Sequence, residues 1–180
     1  MVRNLIAAFA APALVLIAIG ISAALASGVG GDMPAYGAAL KKLDAGQAGA
    51  NAKATFARAD LDGSDALDVR EYAALAIVTA ELSRLNGFVA LDVGEETQIV
   101  TLPVTAPMAL TGGERARIDA VALKEFYALA GEDRLISRDE FARDKAGAFK
   151  AADRNGNGAL SALELVSFAA HEARMAGRDV

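Results

Sequence analysis

The sequence predicts a mainly α fold built from helix–loop–helix units, with one small β-hairpin inserted between them. Three observations predict it. Two twelve-residue stretches, 60–71 and 153–164, carry oxygen-bearing side chains at their first, third, fifth, ninth and twelfth places and a leucine at the eighth. Apolar residues flank both at helical spacing: Phe56 and Phe149 lie four residues before them, and Tyr72 and Leu75 follow the first as Leu165 and Phe168 follow the second. Between them, residues 88–93 and 97–102 are β-favouring runs joined by Gly94-Glu95-Glu96, a hairpin with a short glycine-containing loop.

In order along the chain, residues 27–37 are glycine-rich without apolar periodicity and read as a linker. Residues 38–43 are expected to be helical, 45–49 to break that helix, and 50–59 to form the helix entering the first stretch. Residues 69–85 form the exit helix, with Tyr72, Leu75, Ala76, Val78, Thr79 and Leu82 on one side, and Asn86-Gly87 ends it as a glycine after a helix should. After the hairpin, Pro103 and Pro107 bound a loop running to the turn signal Gly112-Gly113. Helices are expected over 119–130, 138–151 and 162–176, with 177–180 frayed.

The stretch 153–164 has the chemistry of a loop that wraps a hard cation. Calcium takes six to eight oxygens at about 2.3–2.6 Å. Asp153, Asn155 and Asn157 offer side-chain oxygens, the Ala159 carbonyl a fourth, Ser161 one directly or through water, and Glu164 both of its carboxylate oxygens. Gly158 permits the sharp turn, because positive φ costs a residue without Cβ almost nothing. The stretch satisfies the pattern D-x-[DN]-x-[DN]-G-x5-E at every constrained place and resembles the EF-hand family. The resemblance carries the same roles to Asp60, Asp62, Ser64, the Ala66 carbonyl, Asp68 and Glu71. It implies Ca2+ as the bound ion at both loops. The departure is Asp65 where the family has glycine; aspartate visits the left-handed region more readily than most residues. Four carboxylates at ligand places in 60–71, against two in 153–164, favour a dication at the earlier loop.

A degenerate copy lies at 129–140. It keeps Ile136 at the eighth place, Ser137 at the ninth and the closing Glu140, but lacks oxygens at its first and third places. It is expected to be structural, with 135–137 running beside 159–161. Only twelve residues separate these two loops, so one helix must join them, as in compact bacterial EF-hand pairs. A fainter remnant is read around 111–122, with Asp119 as the competing N-cap of the following helix.

Residues 1–26 place Arg3 before an apolar run from Leu5 to Leu25 that ends in Ala24-Leu25-Ala26. A positive start, apolar centre and A-x-A end describe a secretory signal. About twenty apolar residues also suffice to span a bilayer, so cleavage and a retained anchor over 5–25 both stand. The expected domains are 1–26 as signal or anchor, 27–48 as linker and short helix, and 49–180 as the helix–loop–helix domain with its hairpin at 86–104. The expected location is periplasmic or secreted, or the inner membrane if the segment is kept.

The formal charge of −5 becomes −6 once Arg3 is lost, which argues against nucleic acid, since phosphate binding needs a basic face. Cysteine is absent, so disulfides and thiolate-ligated metals are excluded. The single histidine, His171, is expected at a helix surface, and no nucleophile elbow, phosphate loop or dinucleotide motif occurs. The expectation is therefore a non-enzyme. With only Met33, Met108 and Met175 after the leader, a methionine-rich sensor groove is not expected. The alternatives are a calcium-dependent structural, buffering or signalling module, and an interaction module for another exported protein in which calcium is only a staple. The latter resembles dockerin domains in outline, although the closing glutamates depart from them.

Overall fold

Four branched aliphatic residues with no solvent exposure organise the fold: Leu43, Leu67, Ile136 and Leu160. They meet in two pairs, Leu43 opposite Leu160 and Leu67 opposite Ile136, each inside a short antiparallel ladder. The computed structural model in which they are seen describes residues 37–103 and 108–174. Residues 1–26, read above as a signal or anchor, residues 27–36, read as a linker, residues 104–107 and residues 175–180 lie outside the described residues.

The chain enters through β1 (Ala38–Ala39) and β2 (Lys42–Asp44), then α1 (Ala45–Ala59). The helix expected over 38–43 is therefore extended backbone, and the break expected at 45–49 is the start of a helix. Two interactions override the alanine-rich local preference. β1 pairs in parallel with a later strand, and Asp44 closes a reciprocal capping box with Gln47. The Gln47 N–H donates to Asp44 Oδ1 at 2.8 Å, and the Asp44 N–H donates to Gln47 Oε1 at 3.0 Å. Two orphan donors at the helix start are satisfied in this way.

β3 (Ala66–Leu67) and α2 (Val69–Asn86) follow, with Gly87 ending the helix at φ 72°. The buried face of α2 is Tyr72, Ala76, Ala80 and Ser83. Val78 and Leu82, expected on the inner side, are exposed. Small residues let the next long helix approach, and that contact selects the face. β4 (Phe88–Val93) and β5 (Glu96–Thr101) form the expected hairpin, with Val89 opposite Val100. β5 is central in a three-stranded sheet of order β1-β5-β4.

α3 (Gly112–Leu129) begins seven residues earlier than expected. Thr111 caps it, accepting from the Glu114 N–H at 3.3 Å, while its own N–H donates to Glu114 Oε2 at 2.8 Å. The faint loop read at 111–122 is therefore helix, and Asp119 lies inside it rather than capping it. Gly112-Gly113 is tolerated because the first turn has no intrahelical partners for its N–H groups. β6 (Ile136–Ser137), α4 (Arg138–Ala152), β7 (Ala159–Ser161) and α5 (Ala162–Glu172) complete the order.

β7 pairs with β2 and β6 with β3, so 135–137 does not run beside 159–161 as expected. The reason is α4. Its 15 residues make a rod of about 22 Å at 1.5 Å per residue. That length holds the loops at its two ends too far apart for their eighth residues to meet. Each is paired instead with a loop from the other half of the chain.

One core lies under each ladder. Leu43 and Leu160 join Val89, Leu91, Val100 and Leu102 of the hairpin region with Phe149, Leu165 and Phe168. The hairpin's inner face is thus core. Leu67 and Ile136 join Phe56, Tyr72, Phe126 and Phe141. Among the described residues no helix is long and apolar enough to cross a membrane.

Where α2, α3, α4 and α5 converge, polar groups are partly buried. Arg174 pairs with Glu125 and donates to the Tyr72 hydroxyl at 3.2 Å, and Lys145 Nζ lies 3.0 Å from both Glu172 oxygens. Burial pushes the Tyr72 phenol up to about 12, against the lowering effect of Arg174. Burial also raises Asp144 above the usual aspartate range, with Lys145 opposing and Glu172 and Glu125 adding to the rise. A carboxyl whose folded pKa is raised stabilises the fold while protonated, and that contribution is lost as pH rises through the folded value. Asp144→Asn is therefore expected to raise the thermal midpoint at pH 7, with the gain shrinking as pH falls toward the ordinary aspartate range. Melting curves across that window check it; a gain independent of pH contradicts the assignment.

Candidate metal centre

α1 delivers the first ligand place and α2 the last. Asp60 is the C-cap of α1, its N–H bonded to the Phe56 carbonyl at 2.9 Å. Glu71 sits in the first turn of α2 and is one of the few buried charged residues. The chain between them folds back so that carboxylate oxygens of Asp60, Asp62 and Glu71 lie within 4.8 Å of one another. Like charges this close repel by about 1–3 kcal/mol per pair at effective dielectric constants of 80–20. A dication among them reverses the sign of that cost.

Backbone donors hold the three in place. Asp60 Oδ1 accepts from the Ser64 N–H at 2.9 Å and Oδ2 from the Asp65 N–H at 3.1 Å. Asp62 Oδ1 accepts from the Ser64 N–H at 3.0 Å. Glu71 spans the loop, accepting from the Leu61 N–H at 2.8 Å and the Asp68 N–H at 3.0 Å. Ser64 Oγ donates to the Ala66 carbonyl at 3.0 Å, which brings the fifth and seventh places together. Asp68 is different: its Oδ1 caps α2, accepting from the Arg70 and Glu71 N–H groups at 2.7 and 2.8 Å. Three of the four carboxylates expected at this loop converge, and the fourth is engaged as a helix cap.

In 153–164 the same scaffold recurs. Asp153 Oδ1 accepts from the Asn157 N–H at 3.1 Å and Oδ2 from the Gly158 N–H at 2.9 Å. Asn155 Oδ1 accepts from the Asn157 N–H at 3.0 Å, and Asn157 Oδ1 from the Ala159 N–H at 2.9 Å. Glu164 Oε1 accepts from the Asn155 side-chain amide at 2.8 Å. Ser161 makes no side-chain cap, and Ala162 stands at φ 47°. The twelfth-place glutamate is thus held by a neutral amide here, where Glu71 stands among two further carboxylates.

Residues 145–169 match a family model described as EF hand. The match covers the second half of α4, the loop and most of α5, and it supports an EF-hand family and calcium binding. No curated protein and no solved structure matches the chain. The matched segment provides a standard inside the same molecule. Loop 60–71 reproduces three of its backbone bonds: the Ser64 N–H donates to the first- and third-place side chains as the Asn157 N–H does, and the Asp65 N–H takes the place of the Gly158 N–H. Asp65 adopts φ 64° and Gly158 φ 77°, so the aspartate does not open the loop. For a residue with a Cβ this conformation costs about 1–2 kcal/mol.

The degenerate loop keeps the shape without the ligands. Arg134, at its sixth place, stands at φ 58°. Glu140 Oε2 accepts from the Ser137 N–H at 2.9 Å and from Ser137 Oγ at 2.7 Å, bonds that hold its carboxyl below the usual glutamate range. It serves as a cap. A comparable remnant was missed around β2. Leu43 precedes Leu67 by the same 24 residues that separate Ile136 from Leu160, and Asp44 with Gln47 stands as Ser137 does with Glu140. That spacing was the available signal; with no ligand oxygens before Leu43, nothing else pointed to it.

The donor set is all hard oxygen, which suits calcium. Magnesium demands a tighter octahedron at about 2.0–2.1 Å and dehydrates reluctantly.

Proposed function

We propose that this is an exported protein that binds two calcium ions, one at 60–71 and one at 153–164, and uses them to hold its two halves together. The observation that carries the reading is the convergence of Asp60, Asp62 and Glu71 in a loop whose fifth- and sixth-place N–H groups make the same three bonds as in the matched segment. Each loop ends in a ladder whose central residues lie in a core, so an ion that stiffens a loop acts on packing directly. A ligand bound only to the folded state stabilises by RT ln(1 + [L]/Kd), about 2.7 kcal/mol at a hundredfold excess over Kd. The scarcity of methionine after residue 26 supports this staple role over a sensor with a methionine-rich groove. Arg3, the apolar run from Leu5 to Leu25 and the Ala24-Leu25-Ala26 end support export; the mass of the native protein tests it, a start at Ser27 indicating cleavage.

Calorimetric titration with calcium tests the central claim. Two sites are expected. Glu164→Gln should remove the weaker one, whose two carboxylates fit the range of about 10⁻⁴–10⁻³ M found for extracellular modules. No heat and no thermal shift at millimolar calcium would leave both loops as structural relics.

A further inference from the structure

Asp65 has a partner that the family pattern does not call for. Its Oδ1 lies 2.5 Å from Arg138 Nη2, and the Arg138 guanidinium lies 5.2 Å from the centre of the Phe56 ring. Ala66 pairs with Ser137 in the ladder, so Asp65 and Arg138 are the next facing residues beyond its end. Arg138 opens α4, where the helix macrodipole favours anions over cations; the rest of that turn holds the acids expected there, Asp139 and Glu140. Helix electrostatics therefore do not account for an arginine at this place.

The second ladder supplies the comparison. There Asp44 pairs with Ala159, which leaves Ala45 facing Gly158 at the equivalent place. Where the sixth loop residue is glycine the facing residue is alanine; where it is aspartate the facing residue is arginine. The aspartate N–H orients Asp60 by donating to its Oδ2.

We propose that Arg138 is a positioning residue for the ion site of 60–71: it pins Asp65 in the left-handed conformation that glycine adopts unaided, and through the Asp65 N–H it fixes the Asp60 carboxylate. The inference rests on the calcium reading of that loop. Removing Arg138 also unmasks the Asp65 charge, but both side chains are more than half exposed. Across water that charge attracts an ion weakly, so the loss of positioning dominates.

The test is a calcium titration of the full chain carrying Glu164→Gln, so that only 60–71 responds, with Arg138→Ala and Arg138→Lys each placed in the Asp65 and Asp65→Gly backgrounds. Arg138→Ala is expected to weaken calcium about two- to fivefold, the scale of an exposed ion pair. Arg138→Lys should recover part of the loss, and with Asp65→Gly the dependence on Arg138 should vanish. The calcium-free thermal midpoint should fall further with Arg138→Ala when Asp65 is present than when it is glycine, the contact of Arg138 with Phe56 being lost equally in both. Unchanged or tighter binding in Arg138→Ala, or equal weakening in both backgrounds, overturns the proposal while leaving the calcium reading intact. Absence of binding at 60–71 in the parent protein overturns both.

Discussion

Glu71→Gln is expected to weaken calcium at 60–71 by on the order of 100-fold while leaving 153–164 within a factor of a few. Partners that only orient a metal ligand cost 10–100-fold when lost, and Glu71 is a direct ligand in the proposed site, so its effect sits at or above the top of that range. The substitution removes one charge from three converging carboxylates and replaces an oxygen by an amide nitrogen that can only donate. It also disturbs the bonds from the Leu61 and Asp68 N–H groups that close the loop. Without calcium the variant should melt within a few degrees of the parent, because relief of carboxylate repulsion and loss of one loop-closing bond oppose each other. Calorimetry and melting with and without chelator read both effects. Retention of parental affinity at this loop would mean that the convergence of carboxylates is not an ion site.

Phe141→Ala is expected to cost about 3–5 kcal/mol, the range for truncating a buried aromatic. Phe141 is 1% exposed and meets Phe56 edge to face at 5.7 Å. It sits in the core beneath the Leu67–Ile136 ladder, where α1 and α4 pack. At about 2–4 °C per kcal/mol for a chain of this size, the thermal midpoint should fall on the order of 10 °C. Saturating calcium should recover part of the loss, since the ion acts on the same ladder. A drop below about 2 °C would mean that this core relaxes to fill the space.

Much of the element order was legible. The start of α2, its end at Gly87, the hairpin and the start of α4 follow from capping residues, glycine and short-range periodicity, which act within a few residues of chain. Errors fell where distant partners decide. Residues 38–44 are alanine- and lysine-rich, yet β1 and β2 are strands because β5 and β7 accept them. On α2 the expected face holds at Tyr72, Leu75 and Ala76 but not at Val78 and Leu82, because both stripes of the helix contain apolar residues and α3 covers the one with Ala76 and Ala80. The start of α3 was misplaced because two glycines outweighed a capping box that the sequence did contain.

The sequence alone determined the loops: ligand types, their spacing, the turn at the sixth place and the helices on either side are local properties of twelve residues and their flanks. Which loop pairs with which was decided by the tertiary structure. A single helix between consecutive loops is long enough to keep them apart, so each ladder had to be completed from the other half of the chain. The same holds for Asp65. As a sequence departure it reads as a cost; beside Arg138, 73 residues further on, it is half of a pair that only the folded chain brings together.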